Sequence, residues 1–437
     1  MAGGYSSEDK HLLEGELCAI FPPEWLREKA RDTGLIKRER KIDPVTMFWV
    51  LTLGYGTFLQ RTLASLKRNY ETASNRALSD SSWYYRFTPE LVAFLRECVT
   101  RGLEYLAQDP GRSLNERLSP FEDVLIQDST IIRLHEKLAK IWPATRSRKA
   151  AAGVKLGVLT SAIASGPKSV ALYAERTNDL KTLRIGPWIK DRILLIDLGF
   201  YKYQVFTRIK ENGGYFVSRL KSNANPLILE VNRTYRGRSI EIQGKHLQDV
   251  LNNLKRQVLD VDVEVVFNRR AYQGKERKDS ERFRLVAVYN ADEEKYHLYI
   301  TNISTDLLKP EEVARLYGAR WEVEILFKEL KSKYALDIVP TANPQVIEAF
   351  IWIAVLTLLI SRRIHTIIRR LNPGVKVVRF THLRWGTIFS EKAGYLLTAI
   401  LNYLGILHSF ETSLSVYSSE ALDPHVNRKR FTEEWWA

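Results

Sequence analysis

The sequence predicts a mixed α/β protein with a helical N-terminal region and a central sheet domain that a β-rich insertion interrupts. Helical periodicity prevails up to about residue 115, and short apolar or alternating runs separated by polar turns follow from about residue 122. Residues 222–283 are rich in charged and β-branched residues. We therefore expect five regions: a helical region at 1–115, the first part of the sheet domain at 116–221, the insertion at 222–283, the second part of the sheet domain at 284–371 and a C-terminal region at 372–437.

Two short helices are predicted in the N-terminal region, at residues 59–69 and 78–87, before a long helix at 89–107. Ser79 or Asp80 is suited to cap the second helix. Two short helices around a turn, with basic residues nearby, suggest a helix-turn-helix-like contact with DNA. Any small helical bundle has a similar pattern, so that alternative stays open. The basic residues are Arg61, Lys67, Arg68, Arg76 and Arg86.

The sheet domain is predicted to begin with three strands, at residues 123–129, 154–164 and 169–174. A strand at 192–198, a helix at 201–212 and a strand at 215–220 follow. This is the layout of a ribonuclease-H-like α/β sheet, although the layout alone leaves several α/β folds open. Beyond the insertion we expect strands at 285–289 and 296–302, a long helix from about residue 310 and another at 343–371.

The net charge favours a polyanionic partner. The 437 residues carry a formal charge of +15, and the sequence pI is about 9.5. Such an excess of cations suits nucleic acid or an anionic membrane, and a merely basic soluble protein is the alternative. The cations are spread over several regions rather than clustered on one amphipathic helix, which disfavours a membrane-surface protein.

Membrane insertion and export are not expected from the sequence. The most apolar stretch, residues 349–360, is shorter than the ~20 residues that a spanning helix needs, so we expect a buried core helix. The N-terminus lacks a basic start followed by an apolar core. Cys18 and Cys98 are the only cysteines, which excludes a disulfide framework and a cysteine-based zinc site. These observations predict a cytoplasmic protein.

Two aspartates interrupt apolar strands of the predicted sheet. Asp128 lies within VLIQDSTIIRL, and Asp197 ends the apolar run of ILLIDLGF. A charge in such a run is costly unless it is paired or binds a metal ion. Each could instead cap a turn at a strand end, but together, on two strands of one sheet, they favour a metal site.

A third acid is selected by helical phase in RLYGARWEVEILFKELKSKY. At about 100° per residue, one face collects polar residues and a tyrosine, whereas Glu322 and Glu329 fall away from that face, in solvent. The geometry therefore selects Glu324, with an ordinary Glu–Lys pair one turn apart as the alternative. The face consists of Tyr317, Arg320, Glu324, Lys328 and Lys331.

The pattern Tyr317-x2-Arg320-x3-Glu324-x6-Lys331 resembles the YREK signature of bacterial cut-and-paste DDE transposases, the insertion-sequence enzymes of the composite-transposon type. The resemblance implies that Asp128, Asp197 and Glu324 are the catalytic residues. These acids would bind two Mg²⁺ ions, for which Mn²⁺ could substitute. Tyr317, Arg320, Lys328 and Lys331 would contact DNA.

The resemblance also implies an activity and its partners. Such enzymes bind the terminal inverted repeats of a transposon in double-stranded DNA, cleave them, and join the 3′-OH ends to target DNA as homodimers at the bacterial nucleoid. Some cut through a hairpin intermediate in which a tryptophan of the insertion stacks on a flipped base. No tryptophan lies between Trp188 and Trp321 here, and Tyr235, Phe267 or Tyr272 could take its place.

Two other functions share these features. A ribonuclease-H-like nuclease without strand transfer would use the same acids. A DNA-binding regulator with vestigial catalytic residues would keep the positive charge, although the three acids and the basic residues are all intact.

Overall fold

The computed structural model describes residues 11–38, 42–54, 62–109, 111–145, 151–234, 238–272, 275–337, 339, 341–375 and 379–406, with no side chains described for residues 270–276. The chain divides into two compact units, residues 1–102 with 329–437, and residues 103–328. Two helices, α6 (Pro89–Gln108) and α10 (Trp321–Lys333), run across the points of division.

The first unit is built from helices. Among the described residues its helices are α1 (Leu12–Ile20), α2 (Pro23–Asp32), α3 (Pro44–Gly54), α4 (Leu63–Ser74), α5 (Asp80–Tyr84), α11 (Pro344–Arg370) and α12 (His382–Tyr403). At the centre of this unit α3 buries every one of its residues, and Thr357 of α11 donates a hydrogen bond to the carbonyl of Thr52 in α3 at 2.7 Å.

The helix predicted at residues 343–371 is confirmed as α11, which Asn343 caps at its N-terminus. This helix is long and apolar enough to cross a membrane by length and composition alone, but 83% of its most apolar window is buried inside the protein. Core helices of soluble proteins have the same properties. Arg362 and Arg363 are buried on α11 and pair with Glu329 and Glu16, respectively.

Helices α4 and α5 correspond to the two short helices predicted around a turn in the N-terminal region. Ser79 is the capping residue of α5, because its hydroxyl accepts a hydrogen bond from the amide of Ser82. Lys67 is buried and pairs with Glu71 and Asp80 at 3.4 and 3.2 Å, so the expectation that it faces DNA is wrong. Arg68 and Arg76 are exposed, and Arg61 lies outside the described residues.

Within its described residues the second unit contains a sheet of nine strands: β1 (Asp123–Leu134), β2 (Ala152–Ser161), β3 (Gly166–Ala174), β4 (Arg192–Ile196), β5 (Tyr215–Arg219), β6 (Leu227–Val231), β7 (Val258–Tyr272), β8 (Lys275–Asn290) and β9 (Lys295–Thr301). Their order across the sheet is β3-β2-β1-β4-β5-β9-β8-β7-β6. Strands β1, β2 and β3 form an antiparallel meander, whereas β1, β4 and β5 are parallel.

An aromatic cluster packs helix α7 (Tyr203–Glu211) on the sheet. Phe206 stacks on Phe216 of β5 with ring centroids 4.3 Å apart, and Phe283 of β8 meets both rings edge-on. Buried rings of this size contribute much of a core's apolar area. The cluster therefore joins the parallel strands to the strands of the predicted insertion.

The insertion strands extend the central sheet rather than forming a separate one. Strand β6 pairs with β7, β7 with β8, and β8 with β9, all antiparallel. The predicted break between residues 283 and 284 falls inside β8. A short helix, α8 (Leu247–Leu251), lies between β6 and β7.

A buried ion pair fixes the segment that leads into helix α9 (Pro310–Gly318). Arg284 of β8 forms a bidentate ion pair with Asp260 of β7, with donor–acceptor distances of 2.7 and 2.9 Å. Its third guanidinium nitrogen, Nη1, donates to the carbonyls of Ile303, Ser304 and Leu308 at 2.8–3.1 Å. A buried guanidinium is tolerated only when its donors are used in this way. The start of α9 is consequently tied to the sheet.

The single long helix predicted from about residue 310 is wrong, because the chain forms two helices. Helix α9 ends at Gly318 and α10 begins at Trp321. Between them the amides of Ala319, Arg320 and Glu322 bond to carbonyls only three residues back, so the backbone tightens into a 3₁₀-type turn. Glycine is a poor helix former, and Gly318 stands at this break.

Candidate active site

The register of two parallel strands places the first two acids side by side. Gln127 of β1 and Ile196 of β4 are the last paired positions, so Asp128 and Asp197 come next on adjacent strands. Strand β1 continues past Asp128, which pairs with Val158 of β2, whereas β4 stops. Asp197 then caps a 3₁₀ turn at Leu198–Phe200, with the amide of Gly199 3.5 Å from its carboxylate.

The third acid lies in the first turn of α10. Glu324 is half-buried there, and a carboxylate is favoured near the positive end of a helix dipole. The break before α10 gives Arg320 a non-helical position one residue ahead of this helix. From that position its guanidinium donates to the Glu324 carboxylate at 2.7 Å.

All three acids surround the same guanidinium. Besides Glu324, Arg320 approaches Asp128 at 3.6 Å and Asp197 at 3.9 Å between nitrogen and carboxylate oxygen. Three carboxylates that converge in this way repel one another, and a single cation at their centre offsets part of that repulsion. The structure therefore brings Asp128, Asp197, Glu324 and Arg320 together from three separate segments of chain.

Burial raises the pKa of Asp128 to about 6. The Ser129 amide and the Arg320 charge oppose this rise, while the charges of Asp197 and Glu324 add to it. A nearby cation stabilises the charged form of a buried carboxyl group and therefore lowers its pKa.

Tyr317 lies beside the cluster but is buried in the protein. It is 8% exposed, and its ring centroid is 5.4 Å from that of Tyr299. The guanidinium carbon of Arg320 lies 6.0 Å from the Tyr317 ring centroid, and burial raises the pKa of this tyrosine to about 12. Since Tyr317 lies in the last turn of α9 and Glu324 in the first turn of α10, the prediction of one continuous helical face is wrong.

The remaining residues of the predicted face differ in exposure. Lys328 is exposed on α10, and Lys331 is half-buried one turn further on. Glu329 was expected in solvent, which is wrong: it is fully buried, pairs with Arg362 and accepts a hydrogen bond from the Tyr334 hydroxyl at 3.1 Å. A helical wheel could not locate this partner, because it lies on another helix.

The acids suit hard divalent ions by their chemistry. Carboxylate oxygens are the ligands that Mg²⁺ and Mn²⁺ prefer, and a cationic group already sits among the three acids. Within the described ranges, no three acidic, histidine or cysteine side chains stand close enough to hold a metal ion as they are.

Residues 119–360 match the family described as the transposase DDE domain, which is more than half of the chain. The chain belongs to this family.

The curated relatives of this transposase are encoded by bacterial insertion sequences. The transposase for IS231F of Bacillus thuringiensis subsp. israelensis is 24% identical, over 77% of this chain and 76% of the relative. The transposase for IS1151 of Clostridium perfringens is 22% identical, over 77% of this chain and 76% of the relative. The protein is therefore a bacterial DDE transposase, an enzyme of DNA transposition.

Among solved structures, the transposase aligns with the piggyBac transposase in a synaptic complex with hairpin DNA. The alignment covers 98% of this chain and 89% of the other, with 12% sequence identity and a TM-score of 0.45. This likeness is too distant to assign a function.

One exposed aromatic residue beside the acids was not selected from the sequence. Trp321 is 61% exposed at the start of α10, next to Arg320 and three residues before Glu324. Its position in the sequence directly after Arg320 was the feature that could have identified it. Of the aromatics considered instead, Phe267 is 8% exposed, whereas Tyr235 and the side chain of Tyr272 lie outside the described residues.

We expect Asp128→Asn to stabilise the metal-free transposase at neutral pH. The folded-state pKa of about 6 lies above the ordinary value of 3.8, so the folded protein carries the cost of an ionised, buried carboxylate above pH 6. The gain, at most about 3 kcal/mol, should shrink as the pH falls through 6 and disappear near pH 4. Thermal unfolding in EDTA at several pH values measures it. The exposed Asp292→Asn is the control, and a gain independent of pH would contradict the assignment.

Proposed function

We propose that this transposase binds transposon ends in double-stranded DNA, cleaves them by two-metal phosphoryl transfer and joins the freed 3′-OH ends to target DNA. The convergence of Asp128, Asp197 and Glu324 on one cation carries this proposal. The first two acids lie at one edge of a rigid sheet, and the third comes from a helix after the insertion. In this family of reactions several carboxylates from separate segments must hold divalent ions.

Asp128, Asp197 and Glu324 would hold two Mg²⁺ ions, or Mn²⁺ in their place. Bound there, the ions would activate the attacking oxygen and stabilise the leaving oxygen. Arg320 keeps the acids together in the structure described above. Its planar fork of donors also suits a phosphate of the DNA backbone, and we assign it that contact once DNA is bound. The ring of Tyr317, whose centroid lies 6.0 Å from the guanidinium carbon of Arg320, would help to orient that guanidinium.

The domain roles follow the same proposal. The order β3-β2-β1-β4-β5, with an antiparallel meander followed by parallel strands, supports a ribonuclease-H-like catalytic domain interrupted by the strands β6 to β8. We assign end recognition to the helical N-terminal region and dimerisation or DNA contact to the region after residue 371. We further propose action as a homodimer on the nucleoid in the cytoplasm.

We expect Asp128→Ala, Asp197→Ala and Glu324→Ala each to abolish cleavage while binding to the transposon end persists, because phosphate contacts supply most of the affinity. Cleavage of a labelled end in Mg²⁺ and in EDTA, with a mobility-shift assay for binding, measures both properties. Glu322→Ala is the matched control, since Glu322 lies on the same helix and pairs with Arg112 away from the acids.

If one of the three alanine variants cleaves within about tenfold of the wild-type rate, a difference of about 1.4 kcal/mol in the activation barrier, the replaced residue is not a catalytic carboxylate. Full activity in EDTA would contradict the metal requirement. An end supplied with a pre-cut 3′-OH separates a transposase from a simple nuclease, because only the former joins that end to a second DNA. A wild-type chain that binds the end but never cuts it would instead be a regulator.

The exposed lysine of α10 is proposed to bind the DNA backbone together with Lys331. Replacing Lys328 with alanine should weaken end binding and reduce the slope of log K against log salt by about 0.9, the loss of one phosphate contact. Lys333→Ala, on the same helix, is the charge-matched control and should leave the slope unchanged. Titrations at several salt concentrations measure the slopes. Equal slopes for the two variants would show that loss of general positive charge, rather than a contact at Lys328, explains the effect.

Trp321 is the proposed stacking platform if cleavage proceeds through a hairpin. An exposed indole stacks on an extrahelical base with about 1–3 kcal/mol. We expect Trp321→Ala to slow hairpin formation while the first nick continues, and Trp321→Phe to retain most of the activity. Denaturing gels resolve nicked, hairpin and resolved ends. Tyr395→Ala, which removes another exposed aromatic, is the control. Unchanged hairpin formation in Trp321→Ala would rule out this role.

A further inference from the structure

A fourth carboxylate, Asp179, lies behind the cluster of three acids. It begins a 3₁₀ turn at Asp179–Lys181, and its Oδ1 accepts hydrogen bonds from Lys155 Nζ at 2.7 Å and from Ser129 Oγ at 3.3 Å. Lys155 lies on β2, where its side chain is only 8% exposed. The same ammonium group donates to the carbonyl of Thr177 at 2.7 Å. A nearly buried lysine needs such partners, so Asp179 is firmly held.

Asp179 is linked to the first catalytic aspartate through Ser129. The Ser129 hydroxyl donates to Asp179, and the Ser129 amide donates to Asp128 Oδ1 at 2.7 Å. Ser129 and Lys155 share one face of the sheet, since they pair with Gly157 and Ile131 across β1 and β2. Asp128 belongs to the opposite face because neighbouring residues of a strand alternate. Asp179 therefore contacts the sheet from the side opposite the Asp128 side chain.

Asp179 also packs against the turn that carries the second aspartate. A Cβ atom built on Gly199 would lie 3.3 Å from Asp179 Oδ2 and 3.9 Å from Asp197 Oδ2. Gly199 lies in the turn that Asp197 caps. The absence of a side chain at this position allows the close approach. One carboxylate thus contacts β1 next to Asp128 and the turn next to Asp197.

We propose that Asp179, held by the hydrogen bonds from Lys155 and Ser129, is a positioning residue that fixes the separation of Asp128 and Asp197. This inference rests on the proposed metal-dependent function of those acids. Asp179 is not itself a ligand in this proposal, because Lys155 occupies its Oδ1 and neutralises its charge. Loss of a residue that orients metal ligands commonly lowers metal affinity or activity by about 10–100-fold.

The test measures Mn²⁺ affinity by electron paramagnetic resonance on the full-length protein bound to its transposon end, together with the single-turnover cleavage rate and the end-binding constant. Asp179→Ala should weaken Mn²⁺ binding and slow cleavage by about 10–100-fold while end binding is unchanged. Asp179→Asn keeps an oxygen that can accept from Lys155 and Ser129, so it should recover most of both properties.

Glu281→Ala is the matched control, because it removes another lysine–carboxylate contact of 2.7 Å, with Lys210, in the same unit. It should leave Mn²⁺ affinity and cleavage unchanged. Equal losses in Asp179→Ala and Asp179→Asn would overturn the proposal, because the hydrogen bonds that asparagine keeps would then not position the two aspartates. A lower melting temperature with unaltered Mn²⁺ affinity would reduce the pair to a stabilising contact and overturn it as well.

Asp197→Ala separates failure of this inference from failure of the proposed function. If Asp197→Ala loses Mn²⁺ while Asp179→Ala binds it normally, the positioning role is wrong and the metal site stands. If Asp197→Ala binds Mn²⁺ as wild type does, the proposed metal site is wrong, and the positioning role falls with it.

Discussion

The contact between Arg320 and three carboxylates is the constraint around which the sheet-containing unit is organised. Three negative charges this close together are unfavourable by themselves, and burial raises the pKa of Asp128. The guanidinium lies within 2.7–3.9 Å of all three groups. The site is thus assembled around a positive charge that the chain itself supplies.

The rest of the unit holds that contact in place. The parallel register of β1 and β4 fixes the two aspartates, and the Arg284–Asp260 pair anchors the segment before α9. Backbone hydrogen bonds to carbonyls three residues back separate α9 from α10, and Arg320 lies in this break. From there its guanidinium contacts all three carboxylates.

The sequence predicted the elements whose signals are local. Apolar runs located the strands β1 to β5, and a charge inside such a run singled out Asp128 and Asp197. The helix break escaped prediction, because the apolar residues keep a helical spacing through it. Glu329 was expected in solvent and Lys67 near DNA, because charged side chains are usually exposed. In the structure both side chains are buried, and each pairs with a buried residue of opposite charge. For Glu329 that partner is Arg362, which is distant in sequence. Asp179 gave no signal at all, since its pairing with Lys155 arises only when the strands assemble.

The order of segments along the chain has a consequence for synthesis on the ribosome. The helical unit is discontinuous, with residues 1–102 at the start and residues from 329 onward at the end. Helix α3 is therefore made long before α11, which covers it. Glu324 and Arg320 likewise emerge well after Asp128 and Asp197. Because chains fold from the N-terminus as they are made, a nascent or prematurely ended transposase contains two of the three acids and not the arginine between them. On the proposed function, such a chain has no complete catalytic site until Arg320 and Glu324 have been made.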